Sequence, residues 1–107
     1  MSNVSRLSEQ NIVDPILRAH YYQRVIEYIE STESELTQYT IKPDEEYRPD
    51  LAAYRALGSA ELDWLVALVC EVDDVANPLP VGLEYDFPMA GWIRISMREF
   101  MDEFGLS

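Results

Sequence analysis

The side chains that most often carry out chemistry are few in this chain of 107 residues. Cys70 is its only cysteine and His20 its only histidine, so neither an internal disulfide nor a His/Cys metal motif is expected. Cys70 ends the apolar run LVALVC, which predicts a buried structural thiol rather than a nucleophile. The two residues fall on different predicted elements, so they do not predict a Cys–His pair, and we interpret His20 as a plain surface or interface residue.

Carboxylates are abundant, but their pattern does not predict a catalytic or calcium site. The 20 Asp and Glu residues offer pairs at the separation used by glycosidases, yet no signal of a cleft accompanies them. The stretch EVDDVAN lacks the alternating ligands and the glycine of a calcium loop, so Asp73, Asp74 and Asn77 are interpreted as caps and turn formers. We therefore expect no enzymatic activity, no metal and no cofactor.

The charge balance predicts which partners the chain avoids. Its net charge is −12, and no basic residue lies between Ala56 and Ile93. Such a surface repels phosphate backbones and anionic membranes, so we expect no nucleic acid and no membrane partner. It would attract a basic protein surface, or simply keep the chain soluble. No stretch has the roughly 18 apolar residues of a membrane helix, and MSNVSRLSEQNIVD has no apolar signal core, so we expect the chain to be made in a cytoplasm.

The first half of the chain predicts a helix and then a strand. Asp14-Pro15 is typical of a helix start, and the apolar spacing in ILRAHYYQRVIEYIES favours a helix, with a pair of strands as the alternative. ELTQYTI alternates between polar and apolar residues, which predicts a strand of about seven residues. KPDEEYRPD then predicts a charged loop that contains two prolines.

Two short helices and a second strand are predicted next. Asp50 is the expected N-cap of LAAYRAL, and Gly58 is its expected C-cap. Ser59 begins AELDWLVALVCEV, which is apolar over most of its circumference and should bury Trp64. Gly82 allows a tight turn into the strand LEYDFPM. Beyond this strand, WIRIS is interpreted as a further strand and MREFMDEFG as a short amphipathic helix.

The region from about residue 36 to 89 resembles the LysM-like wedge and adaptor proteins of contractile phage tails. These have a strand–helix–helix–strand order and a pattern R-P-D-L-x-A-x-x-x-x-G-S, followed by a tryptophan, an aspartate before Asn-Pro, and L-x-V-G. The residues that carry the resemblance are Arg48, Pro49, Asp50, Leu51, Ala53, Gly58, Ser59, Trp64, Asp74, Asn77, Pro78, Leu79, Val81, Gly82 and Pro88. The chain departs from the family at Leu57, where a tyrosine is frequent, and at Glu71-Val72, where Asn-Gly is common.

The resemblance implies an α+β fold and a structural role. It implies an N-terminal arm and helix at 1–34, a LysM-like domain at 35–89 and a hydrophobic C-terminal interaction tail at 90–107. The chain would then be a component of the virion, in the baseplate or at the junction of tube and sheath. Its partners would be hub, wedge, tube or sheath proteins, and several copies would surround the tail axis.

Two groups of residues are predicted to matter for this role. The first maintains the fold: Pro49, Asp50, Leu51, Gly58, Trp64, Asn77, Pro78 and Gly82. The second is a predicted partner interface, because the aromatic residues near both termini exceed what a half-chain core needs: Tyr21, Tyr22, Val25, Tyr28, Ile29, Arg48, Trp92, Ile93, Ile95 and Phe100. Arg48 has an alternative interpretation, in which it pairs with a nearby acid and stabilises the helix start.

Two other functions fit parts of the sequence. A LysM-like module could bind peptidoglycan, although this chain has one copy and no signal peptide is evident. The charge of −12 would also suit an acidic protein that mimics DNA and occupies a basic nucleic-acid-binding protein.

Overall fold

The computed structural model describes residues 11–73 and 76–105. Asp74 and the first ten residues of the predicted N-terminal arm lie outside this range. The described chain forms helix α1 (Pro15–Glu30), strand β1 (Leu36–Thr40), helix α2 (Pro49–Leu57), helix α3 (Asp63–Val69), strand β2 (Glu84–Pro88) and helix α4 (Ala90–Glu103). Single 3₁₀ turns at Pro43–Glu45 and Ala60–Leu62 precede α2 and α3. The predicted α+β class and the strand–helix–helix–strand order are confirmed.

Helix α1 begins where the sequence predicted. The Asp14 carboxylate accepts a hydrogen bond from the backbone N–H of Ile16 at 2.8 Å, and Pro15 occupies the first helical position, where its missing N–H costs nothing. The helix then runs for 16 residues without a break. The alternative of two strands in this segment is therefore wrong.

The two strands pair antiparallel, with Leu36 opposite Pro88 and Thr40 opposite Glu84. Both strands are five residues long, so β1 is shorter than predicted. Pairing continues one step further, because the Ile41 N–H donates to Leu83 O at 3.0 Å and the Gly82 N–H donates to Ile41 O at 2.8 Å. Gly82 has φ of 87°, a left-handed conformation that favours glycine.

Helix α2 begins two residues earlier than predicted. Pro49 is its first residue and Arg48 occupies the N-cap position, so the prediction that Asp50 caps the helix is wrong. Proline favours this position because its fixed φ suits the first turn. Asp50 instead lies in that turn, where a carboxylate is stabilised by the positive end of the helix. At the other end Gly58 is the C-cap as predicted, with φ of 83°, and its N–H donates to Tyr54 O at 2.9 Å.

The C-terminal segment differs most from its prediction. WIRIS is not a strand, because residues 90–103 form one helix, α4. The apparent alternation covers only a few residues, whereas Ile93, Met97 and Phe100 repeat at helical spacing and are all buried. Helix α1 supplies the surface against which they are buried.

One hydrophobic cluster joins α1, α4 and the strand–helix–helix–strand unit. It contains Ile12, Tyr21, Val25, Ile41, Ala52, Ala53, Leu62, Trp64, Leu65, Val66, Cys70, Leu79, Phe87, Ile93, Met97 and Phe100. The three predicted segments at 1–34, 35–89 and 90–107 therefore all contribute to the same core. Residues 90–103 are a packed helix and not a free tail.

Candidate interaction surfaces

Four residues of the predicted partner interface are inside the molecule. Tyr21, Val25, Ile93 and Phe100 are at most 1% exposed. The Tyr21 ring meets the Phe100 ring edge to face at 5.5 Å, and its hydroxyl lies 2.8 Å from Ser96 Oγ and 3.3 Å from Ile93 O. The prediction that these four contact a partner is corrected, because their apolar and aromatic surface binds α4 to α1.

The partly buried members of the predicted interface form a second aromatic layer. Tyr28 stacks on Trp92, with ring centroids 3.9 Å apart and planes within 12°, and this stack links α1 to α4. Tyr22 stacks on Trp64 of α3 at 5.8 Å. Ile29 is also partly buried against the core. Only part of each of these side chains is therefore left accessible to another protein.

Arg48 and Ile95 are the exposed members of the predicted interface. Arg48 holds both oxygens of Asp50 with its Nε and Nη2, each at 3.1 Å, which is the pairing proposed as its alternative role. The hydrogen bonds from Arg48 lower the pKa of Asp50 below its ordinary value. Ile95 lies on the outer side of α4 with 59% of its surface exposed. These two residues are on different elements and do not form one patch by themselves.

The fold-motif residues from the two halves of the unit lie close together. Pro49 and Trp64 are buried, Leu51 is partly buried, and Asn77 and Pro78 are in an exposed loop. The Leu79 N–H, one residue after Pro78, donates to Glu46 O at 2.6 Å. This bond fastens the Asn77-Pro78 loop to the segment that leads into Arg48-Pro49. Segments about thirty residues apart in sequence therefore contact each other.

A buried carboxylate that the sequence analysis did not single out organises the loop between β1 and α2. Glu45 is 0% exposed. Its Oε1 accepts from the Lys42 N–H at 2.8 Å, and its Oε2 accepts from Arg55 Nη1 at 3.0 Å and from the Tyr39 hydroxyl. Arg55 also donates to both oxygens of Asp44, at 2.9 Å each. We call Tyr39, Asp44, Glu45 and Arg55 the Glu45 network.

The Glu45 network connects three elements of the fold. Tyr39 connects β1 to the loop between that strand and α2, and Arg55 connects α2 to the same loop. Each oxygen of the buried Glu45 carboxylate accepts at least one hydrogen bond. Arg55 lowers the pKa of Asp44 through these hydrogen bonds. The sequence indicates only the hydrogen bond between the Lys42 N–H and the Glu45 carboxylate, because a glutamate three residues after the start of a turn is typical of a capping box. The burial of Glu45 depends on tertiary packing.

Alkaline pH is expected to destabilise the protein through two tyrosines. Burial raises the pKa of Tyr21 to about 12, and burial together with the hydrogen bond to Glu45 raises that of Tyr39 to about 12, against 10.0 for an ordinary tyrosine. As the pH rises, these two tyrosines therefore lose their protons in the unfolded chain before they do so in the folded one. Their contribution to the free energy of unfolding is fully present below pH 10 and is lost as the pH rises towards 12. Urea unfolding midpoints measured across this range should fall, and the Tyr21→Phe/Tyr39→Phe variant should show a shallower fall. An equal fall in both proteins would contradict the raised pKa values.

Cys70 and His20, the two reactive side chains considered in the sequence, lie on different elements, at the end of α3 and in α1. Burial raises the pKa of the Cys70 thiol to about 11, so it is protonated at neutral pH. His20 is exposed on α1. Within 11–73 and 76–105 no three His, Cys, Asp or Glu side chains lie together in a way that could hold a metal ion. No helix in the same ranges is long and apolar enough to span a membrane.

Comparison with known proteins identifies no relative. No protein-family model matches the chain, and neither a curated protein nor a solved structure matches it at a significant level. The likeness to LysM-like phage-tail proteins therefore rests on the motif residues at 48–59, 64 and 74–88, and on the order of the elements that contain them.

Proposed function

We propose that this chain is a structural component of a contractile phage tail, in the baseplate or at the junction of tube and sheath, and that it binds neighbouring tail proteins during assembly. The observation that supports this most is the coincidence of motif and structure. The residues of the R-P-D-L-x-A-x-x-x-x-G-S pattern form α2 and its C-cap in a strand–helix–helix–strand unit. The Asn-Pro and L-x-V-G residues lead into the second strand of that unit.

The mechanism we propose is geometric. The core joins α1 and α4 to the central unit, and the Glu45 network fixes the loop before α2. A scaffold held in this way presents its outer surfaces without paying the entropy of ordering them on binding. The acidic surface between residues 56 and 93 would orient the chain against basic neighbours and speed their encounter. No step of this role requires a cofactor.

The proposal is tested on purified virus particles from the source of the sequence. Quantitative mass spectrometry of the particles should detect the chain in a fixed ratio to the tail-tube protein. An electron-microscopy map of the tail end should contain density for its four helices and two strands at symmetric positions around the axis. Absence from the particles would contradict the proposal, and pull-downs with cell-wall fragments and with basic DNA-binding proteins would then test the two other functions.

A further inference from the structure

The outer side of α4 has two arginines that bind nothing within the described chain. Arg94 and Arg98 are exposed and four residues apart, so they lie one above the other on the helix. No ion pair or hydrogen bond of either side chain occurs in 11–73 or 76–105. Ile95 lies beside them and is also exposed. We call Arg94, Ile95 and Arg98 the basic stripe.

The basic residues elsewhere in the described chain have partners. Arg18 donates to Ile12 O, Arg24 pairs with Glu103, Arg48 pairs with Asp50, Arg55 pairs with Asp44 and Glu45, and Lys42 lies over the Tyr39 ring. In a chain with 20 acidic and 8 basic residues, an unpaired cation has many carboxylates available to it. Two unpaired arginines on one face are therefore unexpected, and they suit a partner that brings its own carboxylates.

A shallow groove of about 500 Å³ runs along the basic stripe. Its apolar lining comes from Ile95, Met97 and Met101, and its polar lining from Asn11, Arg94, Arg98 and Asp102. Asp102 makes no ion pair with Arg98 within 4 Å in the described chain. A surface that fits this groove has carboxylates next to exposed apolar side chains, because the arginines pair with the former and the methionines and Ile95 pack against the latter.

This chain has such a surface at the other end of its sheet. Glu46, Val81, Leu83 and Glu84 are all exposed. Their backbones are neighbours, because Glu46 O accepts from the Leu79 N–H, Leu83 O accepts from the Ile41 N–H, and Glu84 lies opposite Thr40. Leu83 and Glu84 are consecutive in paired strands, so this end of the sheet is apolar on the face of Leu83 and acidic on the face of Glu84. We call Glu46, Val81, Leu83 and Glu84 the acidic end.

The basic stripe does not pair with the acidic end of its own chain, since neither arginine has a carboxylate within 4 Å in the described residues. Strand β2 runs from Glu84 to Pro88, and α4 begins two residues later. The acidic end is thus at the start of β2 and the basic stripe follows its far end, about 13 Å away along the strand alone at the usual rise per residue. Complementary charge and exposed apolar side chains are both present, but within one molecule the two arginines form no ion pair with these carboxylates.

We propose that the basic stripe binds the acidic end of a second copy of this chain, head to tail. Because the two surfaces differ, each copy can bind one neighbour at each end, which gives a closed ring or an open chain. The net charge of −12 opposes association over long distances, but at physiological salt this repulsion is screened beyond about 8 Å while the local contact is preserved. This inference does not depend on the proposed function.

Analytical ultracentrifugation of the full chain tests the contact. The weight-average mass should rise with protein concentration at about 0.15 M salt, where the net repulsion is screened, and should return towards that of the monomer at about 0.5 M salt, where the arginine–carboxylate contacts are screened as well. The Arg94→Gln/Arg98→Gln variant should weaken association at least tenfold. Its matched control is Ala19→Glu/Gln23→Glu, which makes the same change in net charge on the exposed side of α1 and should associate like the wild-type chain.

A charge exchange tests which surfaces pair. The Arg94→Glu/Arg98→Glu variant and the Glu46→Lys/Glu84→Lys variant should each remain monomeric, because like charges then meet in every self-contact. Their mixture should associate, because the acidic stripe of one variant meets the basic end of the other, and this recovery also shows that both variants are folded. The proposal is overturned if the wild-type chain is a monomer at every concentration at about 0.15 M salt. It is also overturned if the control variant weakens association equally, or if the mixture does not associate.

Discussion

Replacing Phe100 by alanine should lower the free energy of unfolding by about 3–5 kcal/mol, the usual range for a buried phenylalanine. Phe100 is 1% exposed, its ring contacts the Tyr21 ring at 5.5 Å, and the Arg24 guanidinium lies 4.9 Å from its centroid. Alanine would leave a cavity between α1 and α4 that neither helix can fill without moving. Equilibrium unfolding in urea, followed by circular dichroism, measures the loss.

Phe104 is the matched control for this substitution. It is four residues further along the same segment, its ring lies 4.6 Å from that of Phe100, and 44% of its surface is exposed. Phe104→Ala should therefore cost less than about 1.5 kcal/mol, since about half of its surface is already in water. Similar small losses for both variants would mean that α4 contributes little to the core.

Replacing Arg55 by methionine should lower the free energy of unfolding by more than the loss of an exposed ion pair would, because the carboxylate it pairs with is buried. The substitution keeps a long side chain but leaves the fully buried carboxylate of Glu45 without its cation. The Lys42 N–H and the Tyr39 hydroxyl still donate to it, so the loss is smaller than for an isolated buried charge. Adding Glu45→Gln to this variant should recover part of the stability, because an amide carries no charge.

Arg48→Met is the matched control for Arg55→Met. Arg48 also makes a two-bond pair with an aspartate, but both partners are largely exposed. Exposed pairs contribute little to stability, so the loss should be clearly smaller than for Arg55→Met. If the two arginine substitutions cost the same, burial of Glu45 would have no energetic consequence. If Glu45→Gln lowers stability further in the Arg55→Met background, the uncompensated charge is not the source of the loss.

The parts of the fold that follow from local rules were predictable. Asp14 and Pro15 start α1, Gly58 ends α2 and Gly82 turns into β2, because each depends on backbone chemistry that one or two residues determine. The burial of Trp64 followed from a helix that is apolar around most of its circumference.

The parts that depend on distant residues were not predictable in the same way. WIRIS has a strand-like alternation over a few residues, and the surface of α1 that makes it a helix is about seventy residues away in sequence. The burial of Glu45 depends on Arg55 and Tyr39, which the sequence does not connect. The aromatic and aliphatic residues near the termini were interpreted as a partner interface, but Tyr21, Val25, Ile93 and Phe100 are buried within the molecule itself.

The burial of four predicted interface residues changes where the proposed partners would bind. With Tyr21, Val25, Ile93 and Phe100 buried, the proposed contacts with a tail protein or a second copy would involve the outer sides of the helices and the ends of the sheet. The proposed tail role and the proposed contact between copies both require that α1 and α4 remain in place, since the basic stripe is on α4.

Native-state hydrogen exchange on the full chain tests this requirement most directly. Backbone amides of α1 and α4, between Tyr21 and Val25 and between Met97 and Phe100, should open with nearly the same free energy as those of β1, α2 and α3. This is expected because segments that share one core unfold together. Exchange of α1 and α4 at a much lower free energy, with residues 36–88 still protected, would contradict it. The terminal helices would then be detachable arms, and their buried aromatic residues would be available to a partner.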